Sequence, residues 1–173
     1  MSGPRAVVIG VGNEYRRDDG IGPAVARYLE KLCLPGVSVA LCDSDPTGLL
    51  DLWAGAELAV VVDAVLCQPS TPGRVWRTTL DSAHGLTHAA SSHAIGIPDA
   101  VPLGRLLGRV PHELVVVAVE AERLDLGVGL SDPVAAAFPE VVTAVLAELD
   151  HVGIAGGPRP PRRTADDHRR DAQ

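Results

Sequence analysis

The strongest constraint on the fold is an alternation of short, β-branched apolar runs with longer stretches of helical periodicity. Such alternation is typical of β-α units around a mainly parallel sheet that is covered on both faces. The sequence predicts strands at residues 6–9, 37–41, 58–62, 74–78 and 114–119. The valine triplets at 60–62 and 115–117 place the third and fifth of these at the centre of the sheet.

The spacing of apolar residues between these strands predicts four helices. The first begins near Gly22, and shorter helices follow at 47–53 and at 98–107, where Pro102 should limit how early the regular part starts. The last follows Ser131, a suitable N-cap residue. We therefore expect a single α/β domain, a three-layer sandwich in which helices flank a mainly parallel, twisted five-stranded sheet.

The end of the chain differs in composition from the rest. Residues 156–161 read Gly-Gly-Pro-Arg-Pro-Pro, and arginine, aspartate and histidine are frequent from there to Gln173. A segment with so little apolar surface to bury does not offset the entropy of ordering it. Residues 154–173 are predicted to form a disordered tail, and residues 1–153 the single folded domain of this 173-residue chain.

The net charge of −7 bears on partners. An acidic surface repels phosphate backbones and anionic lipids, so neither nucleic acid nor membrane is an expected partner. No apolar stretch is long enough for a signal sequence or a membrane span, which predicts a cytoplasmic protein, with a monomer as the default expectation. Cys33, Cys42 and Cys67 are odd in number and lack metal-binding spacing, so we expect small buried apolar residues.

Several common catalytic motifs are incomplete in this chain. Gly10-Val11-Gly12 follows the first strand, but Tyr15 occupies the third glycine position of a dinucleotide-binding loop. No lysine follows in phosphate-loop spacing, Val116 replaces the second histidine after His112-Glu113, and the G-x-S-x-G motif is missing. Ordinary nucleotide-binding, zinc-protease and serine-hydrolase functions are therefore disfavoured.

Polar residues on three segments are predicted to meet at the carboxyl edge of the sheet, where open α/β folds bind ligands. Asp18 and Asp19 follow the first strand, Asp63 ends the apolar run of the third, and His93 lies in the loop after the fourth. Two carboxylates and an imidazole suit a borderline divalent metal, with positions left for a partner's ligands. Each also has an ordinary interpretation, because aspartates often cap helices and most loop histidines have no special role. The site hypothesis depends on all three segments meeting.

With these residues identified, the sequence resembles the hydrogenase maturation endopeptidases over about residues 5–150. The resemblance is carried by Gly10-Val11-Gly12-Asn13, Asp18-Asp19-Gly20-Ile21-Gly22, Val62-Asp63-Ala64 with Pro72-Gly73, and Ser92-His93. It implies that Asp19, Asp63 and His93 contact a metal and that Asn13 holds the loop presenting Asp19. Position 19 is glutamate in some relatives, one methylene longer, so Asp18 remains an alternative ligand.

The resemblance further implies an endopeptidase, a hydrolase that removes the C-terminal extension of a nickel-loaded hydrogenase large-subunit precursor. The substrate would present the nickel on cysteine thiolates, and no organic cofactor is implied. A metal-polarised carbonyl, a metal-bound water and an aspartate general base all fit the residue types, whereas no serine or cysteine has the partners for a covalent route. The alternatives are a non-catalytic nickel-binding assembly factor and a nucleotide-handling enzyme, which the acidic pair opposes.

Overall fold

The computed structural model describes residues 6–43, 45–79 and 96–154. The strands are β1 (Ala6–Val11), β2 (Val37–Cys42), β3 (Leu58–Val65), β4 (Val75–Thr79) and β5 (Glu113–Glu120). The helices are α1 (Ile21–Lys31), α2 (Pro46–Trp53), α3 (Gly96–Leu107) and α4 (Asp132–His151). A 3₁₀ helix, Arg17–Gly20, directly precedes α1.

The strands form one sheet in the order β2-β1-β3-β5-β4. β1, β2, β3 and β5 are mutually parallel, and β4 pairs antiparallel with β5. The short connection over residues 66–74 explains the direction of β4. If β4 were parallel to β3, the chain would first have to return to the opposite edge of the sheet, which requires a longer crossover. The two valine-rich strands, β3 and β5, both lie inside the sheet, as predicted.

The core consists of two apolar layers, one on each face of the sheet. Even-numbered residues of β3, such as Val60 and Val62, pack with α1 and α4. Odd-numbered residues, such as Val61, pack with α2 and α3. Because successive strand residues point to opposite faces, continuous valine runs bury both sides of these strands. The predicted three-layer α/β sandwich is confirmed.

Glycines allow α1 to approach the sheet closely. A Cβ added at Gly22 would lie 2.2 Å from the carbonyl oxygen of Val11 and 2.6 Å from that of Val62. A Cβ at Gly10 would lie 2.3 Å from the carbonyl oxygen of Gly22. Side chains do not fit at these distances, so Gly10, which belongs to the incomplete dinucleotide-binding motif, serves helix–sheet packing together with Gly22. This packing sets the start of α1 above the ends of β1 and β3.

Two sequence-based expectations for the helices are corrected. α3 starts at Gly96, earlier than predicted, and includes Pro102, which removes one backbone donor without ending the helix. Ser131 is the N-cap residue of α4, but its side chain makes no capping hydrogen bond. Its hydroxyl instead donates to Asp18. A buried carboxylate has therefore displaced the usual cap interaction.

The expectation of three buried cysteines holds for one of them. Cys42 is buried, whereas Cys33 is exposed in the turn after α1 and Cys67 is partly exposed in the loop after β3. Apolar neighbours in the sequence misled the prediction, because both residues lie just beyond the ends of buried elements. None of the three forms a disulfide within the described residues.

The last described residue, Ile154, belongs to the folded core. Ile154 is buried against the layer of α1 and α4 and donates its N–H to the Leu149 carbonyl. The rest of the predicted tail, residues 155–173, lies outside the described residues. Among the helices of the described ranges, none has the length and apolar character needed to cross a membrane.

Candidate metal site at the carboxyl edge of the sheet

Asp18 is a buried carboxylate whose oxygens are fully used by hydrogen bonds. It accepts the backbone N–H groups of Glu122 and Arg123, both at 2.9 Å. Ser131 donates its N–H at 2.6 Å and its hydroxyl at 2.9 Å. These four bonds fix the 3₁₀ helix to the loop that joins β5 to α4. Asp18 therefore has a structural explanation that does not require a metal.

Asp19, the next residue, is also buried but has one free oxygen. Its Oδ2 accepts the backbone N–H of Asn13 at 2.8 Å, and Asn13 in turn accepts the N–H of Tyr15 at 2.9 Å. Its Oδ1 is buried and has no hydrogen-bond partner in the described part of the chain. Gly12, with φ of +132°, passes so close that a Cβ there would lie 2.0 Å from the Asp19 carbonyl oxygen. Asn13 therefore holds the loop that presents Asp19.

Asp63 lies within β3, where the sequence placed it at the end of the strand. The strand continues to Val65 because β5 pairs with it over its full length, which buries Asp63 among the strand's neighbours. Burial raises the pKa of Asp63 well above its ordinary range, and repulsion from Asp19 raises it further. The N–H of Ala64 donates to Oδ1 at 2.8 Å and partly opposes this shift. Two carboxylates thus share one desolvated region at the carboxyl edge.

His93 lies outside the described residues, so the third predicted ligand is not placed. β4, the last described strand before it, runs antiparallel, and Thr79 pairs with Val115 near the amino edge of the sheet. α3 ends at Leu107, shortly before β5 begins at Glu113, so the C-terminal end of α3 lies toward the amino edge. Gly96, the first residue of α3, therefore lies toward the carboxyl edge. Ile97 packs on the same face of the sheet as Val61, and Asp63 belongs to that face by strand alternation.

Glu120 is a fourth buried acid at this edge that was not among the predicted site residues. Its carboxylate accepts the N–H of Thr71 at 2.6 Å and the indole N–H of Trp76 at 2.7 Å. The guanidinium of Arg74 lies 3.9 Å above the Trp76 ring. An acid at the end of a buried valine run, the signal that found Asp63, was available here too. Glu120 fixes the loop between β3 and β4.

The described donors suit part of a metal site. Asp19 and Asp63 supply carboxylate oxygens, and no group of three potential ligand side chains occurs within residues 6–43, 45–79 and 96–154. A borderline divalent ion accepts such oxygens together with imidazole or thiolate ligands. The unpartnered Asp19 oxygen is the atom that a cation would satisfy.

Comparison with known proteins decides the family. The model of the HycI hydrogenase maturation protease family matches residues 23–148, most of the chain. This chain is a hydrogenase maturation protease. Of the two described carboxylates of the predicted site, Asp63 lies within the matched range and Asp19 lies four residues before it.

Individual relatives match most of the length of this protease, and a solved structure shares its fold. The hydrogenase 2 maturation protease of Escherichia coli K12 is 29% identical over 158 residues, which cover 90% of this chain and 96% of the relative. The HupD hydrogenase expression/formation protein of Rhodobacter capsulatus is 30% identical over 156 residues, 87% of this chain and 73% of the relative. The solved structure of the maturating endopeptidase HybD from Escherichia coli matches with a TM-score of 0.73 at 27% identity, over 86% of this chain and 94% of that one.

Proposed function

We propose that this hydrogenase maturation protease removes a C-terminal extension from a hydrogenase large-subunit precursor that already holds nickel. Asp19, Asp63 and His93 contact that nickel and so read whether the precursor is loaded. The observation that carries the proposal is the buried Oδ1 of Asp19, which has no hydrogen-bond partner among the described residues, beside the buried carboxyl of Asp63.

The free oxygen of Asp19 is costly unless something binds it. Burying a carboxylate oxygen without a partner loses its hydration and gains nothing in return. Asp18, one residue away, shows that this loop has the donors to saturate a carboxylate completely. The contrast between the two neighbours favours Asp19 as the ligand, with the missing partner supplied by the substrate.

The burial of Asp63 and its proximity to Asp19 also favour the binding of a cation. Its raised pKa arises from burial and from the charge of Asp19, and a nearby cation opposes both effects. Binding nickel therefore displaces any proton that Asp63 holds, and the two carboxylates cease to repel each other. A site that is electrostatically unfavourable when empty becomes favourable when a metal arrives.

His93 completes the proposal by its position in the chain. It precedes Gly96 by three residues, and three residues span at most about 10 Å. Because α3 starts toward the carboxyl edge, on the face to which Asp63 belongs, this reach is compatible with a shared ion. An imidazole beside two carboxylates gives a mixed ligand set suited to nickel.

The specificity of the reaction follows from where the metal resides. A precursor without nickel offers no cation to the two acids and leaves them repelling each other, so it is not held with its scissile bond in place. Cleavage is hydrolytic, by attack of water on the peptide carbonyl. The metal, Asp19 and Asp63 are the groups available to polarise the carbonyl or to take the proton from water.

The test is the mass of the precursor after incubation with the purified protein. We expect a nickel-loaded precursor to lose its C-terminal extension and an otherwise identical nickel-free precursor to keep its full mass. Unchanged mass of the loaded precursor, with the protein bound to it, would instead indicate a non-catalytic assembly factor. Cleavage of both forms at equal rates would contradict the role of nickel.

A further inference from the structure

An exposed apolar patch lies on the loops that carry the candidate site. Tyr15 is 62% exposed in the loop between β1 and the 3₁₀ helix, and Leu126 and Val128 are 81% and 72% exposed in the loop between β5 and α4. Single exposed apolar residues are common on protein surfaces, but clusters of them mark interaction sites. We call these three residues the apolar patch.

Backbone hydrogen bonds bring the three residues together. Gly127 donates its N–H to the carbonyl of Tyr15 and accepts the N–H of Arg17, both at 2.9 Å. These bonds form a parallel bridge between Arg16 and Gly127, so Tyr15 adjoins the segment that contains Leu126 and Val128. The patch is a property of two joined loops.

The same loops are tied to the candidate ligands. Tyr15 donates its N–H to Asn13, and Asn13 donates its own N–H to Asp19. On the other side, Asp18 accepts backbone N–H groups at the start of the loop that presents Leu126. The patch is therefore held in a fixed position relative to Asp19, and a preorganised surface loses little entropy when a partner binds.

Polar groups border the apolar patch. Arg17 and Arg123 both pair with Asp125, at 3.3 and 3.0 Å. A pocket of about 310 Å³ lies next to them, between these arginines and the start of α4 at Ser131. An apolar centre with a charged rim and an adjoining pocket is the usual anatomy of a protein–protein interface.

We propose that the apolar patch docks the folded body of the hydrogenase large-subunit precursor. This inference rests on the proposed function, because it assumes that the precursor is the substrate. A precursor that brings its metal to Asp19 must lie over the carboxyl edge, where the patch is continuous with the site. A second copy of this chain seated on the patch would obstruct that approach, so the precursor is the occupant that fits.

The test compares the binding of the precursor to the patch variant Leu126→Asp/Val128→Asp and to a control, Leu106→Asp. Leu106 is 85% exposed on α3, away from the patch, and so controls for adding a charge at an exposed leucine. We expect the patch variant to bind at least about tenfold more weakly and to show a raised KM with kcat little changed, because a central apolar contact is lost. The control should bind like the unchanged protein.

Comparing the affinities for nickel-loaded and nickel-free precursor distinguishes docking at the apolar patch from contact with the metal. The patch contacts the body of the precursor, so the variant should weaken both forms by the same factor. Unchanged affinity in the patch variant, or equal loss in the control, would overturn the proposal. So would failure of the unchanged protein to bind the precursor, or a dimer of the free protein that Leu126→Asp dissociates.

The two proposals fail in different ways. If the unchanged protein binds the loaded precursor through the patch but leaves its mass intact, the proposed proteolysis is wrong and the docking surface stands. If cleavage occurs and the patch variant cleaves with unchanged KM, the docking surface is wrong and the proteolysis stands.

Discussion

Ser131 donates both its backbone N–H and its hydroxyl to the buried carboxylate of Asp18, at 2.6 and 2.9 Å. This pair joins the start of α4 to the 3₁₀ helix that carries Asp19. These two hydrogen bonds also distinguish Asp18 from Asp19, although the two adjacent aspartates look equivalent in the sequence. Asp18 is saturated by protein donors, whereas one oxygen of Asp19 has no hydrogen-bond partner in the part of the chain that the structure describes.

The first prediction is that Asp18→Asn and Asp19→Asn have different effects on stability. An amide at position 18 turns donor hydrogens toward the backbone N–H groups that now bind a carboxylate, which should cost about 2–4 kcal/mol. Asp19→Asn removes a poorly compensated charge and should change the free energy of unfolding by no more than about 1 kcal/mol. Urea denaturation of both variants measures this, and equal destabilisation would contradict the assignment of roles.

The second prediction concerns Asp63→Asn and pH, in metal-free protein with a chelator present. The pKa of Asp63 is raised in the folded state by burial and by Asp19, so folding favours its protonated form. The stability that Asp63 contributes is present at pH below the ordinary carboxyl range and is lost as pH rises through the raised folded-state pKa. The asparagine variant has no carboxyl group to ionise, so its stability does not fall in this way.

We therefore expect Asp63→Asn to melt at a higher temperature than the unchanged protein at neutral pH, with the difference shrinking in acid. A stabilisation on the order of 1 kcal/mol is typical when a functional buried charge is removed. Thermal denaturation across this pH range is the measurement. A difference that grows as pH falls would show that the sign of the pKa shift is wrong.

Much of the fold was predictable because each strand carries a strong local signal. Valine runs in β3 and β5 located both strands and their position inside the sheet. The end of β3 was not predictable, since Asp63 looks like a strand terminator and only pairing with β5 shows that the strand continues. The direction of β4 was left open, although the short 66–74 connection contained the information.

The site was less predictable than the fold. Asp18 and Asp19 have the same side chain in the same turn, and only contacts with residues more than one hundred positions away, such as Ser131, distinguish them. No local pattern reports such contacts. Glu120 carries the same local signal as Asp63, an acid at the end of a buried valine run, but its contact with Trp76 on another strand has no local signal. The contribution of His93 stays a prediction.

The third prediction is that Glu120 is essential for stability. Glu120→Ala leaves the indole N–H of Trp76 and the N–H of Thr71 without their acceptor in a partly buried region. We expect a loss of about 1–3 kcal/mol, whereas Trp76→Phe, which removes one donor and keeps the acceptor, should cost less. Chemical denaturation compares the two variants. A loss below about 0.5 kcal/mol for Glu120→Ala would contradict the importance of this contact.

The fourth prediction concerns the C-terminal segment. A chain that ends at Ile154 should cleave the loaded precursor at the normal rate and melt at the normal temperature. A chain that ends at Val152 loses the buried Ile154 side chain and should be destabilised by about 1–3 kcal/mol. Melting curves of the two truncations test this, and loss of cleavage in the longer one would give the removed residues a function.

The fifth prediction concerns the role of Asp19, Asp63 and His93 as the residues that read nickel. The decisive measurement is the mass of a nickel-loaded precursor after incubation with Asp19→Asn, Asp63→Asn or His93→Ala, each first shown to be folded by its melting curve. We predict that all three leave the precursor at full length while the unchanged protein shortens it. Normal cleavage by any two of these folded variants would contradict the account.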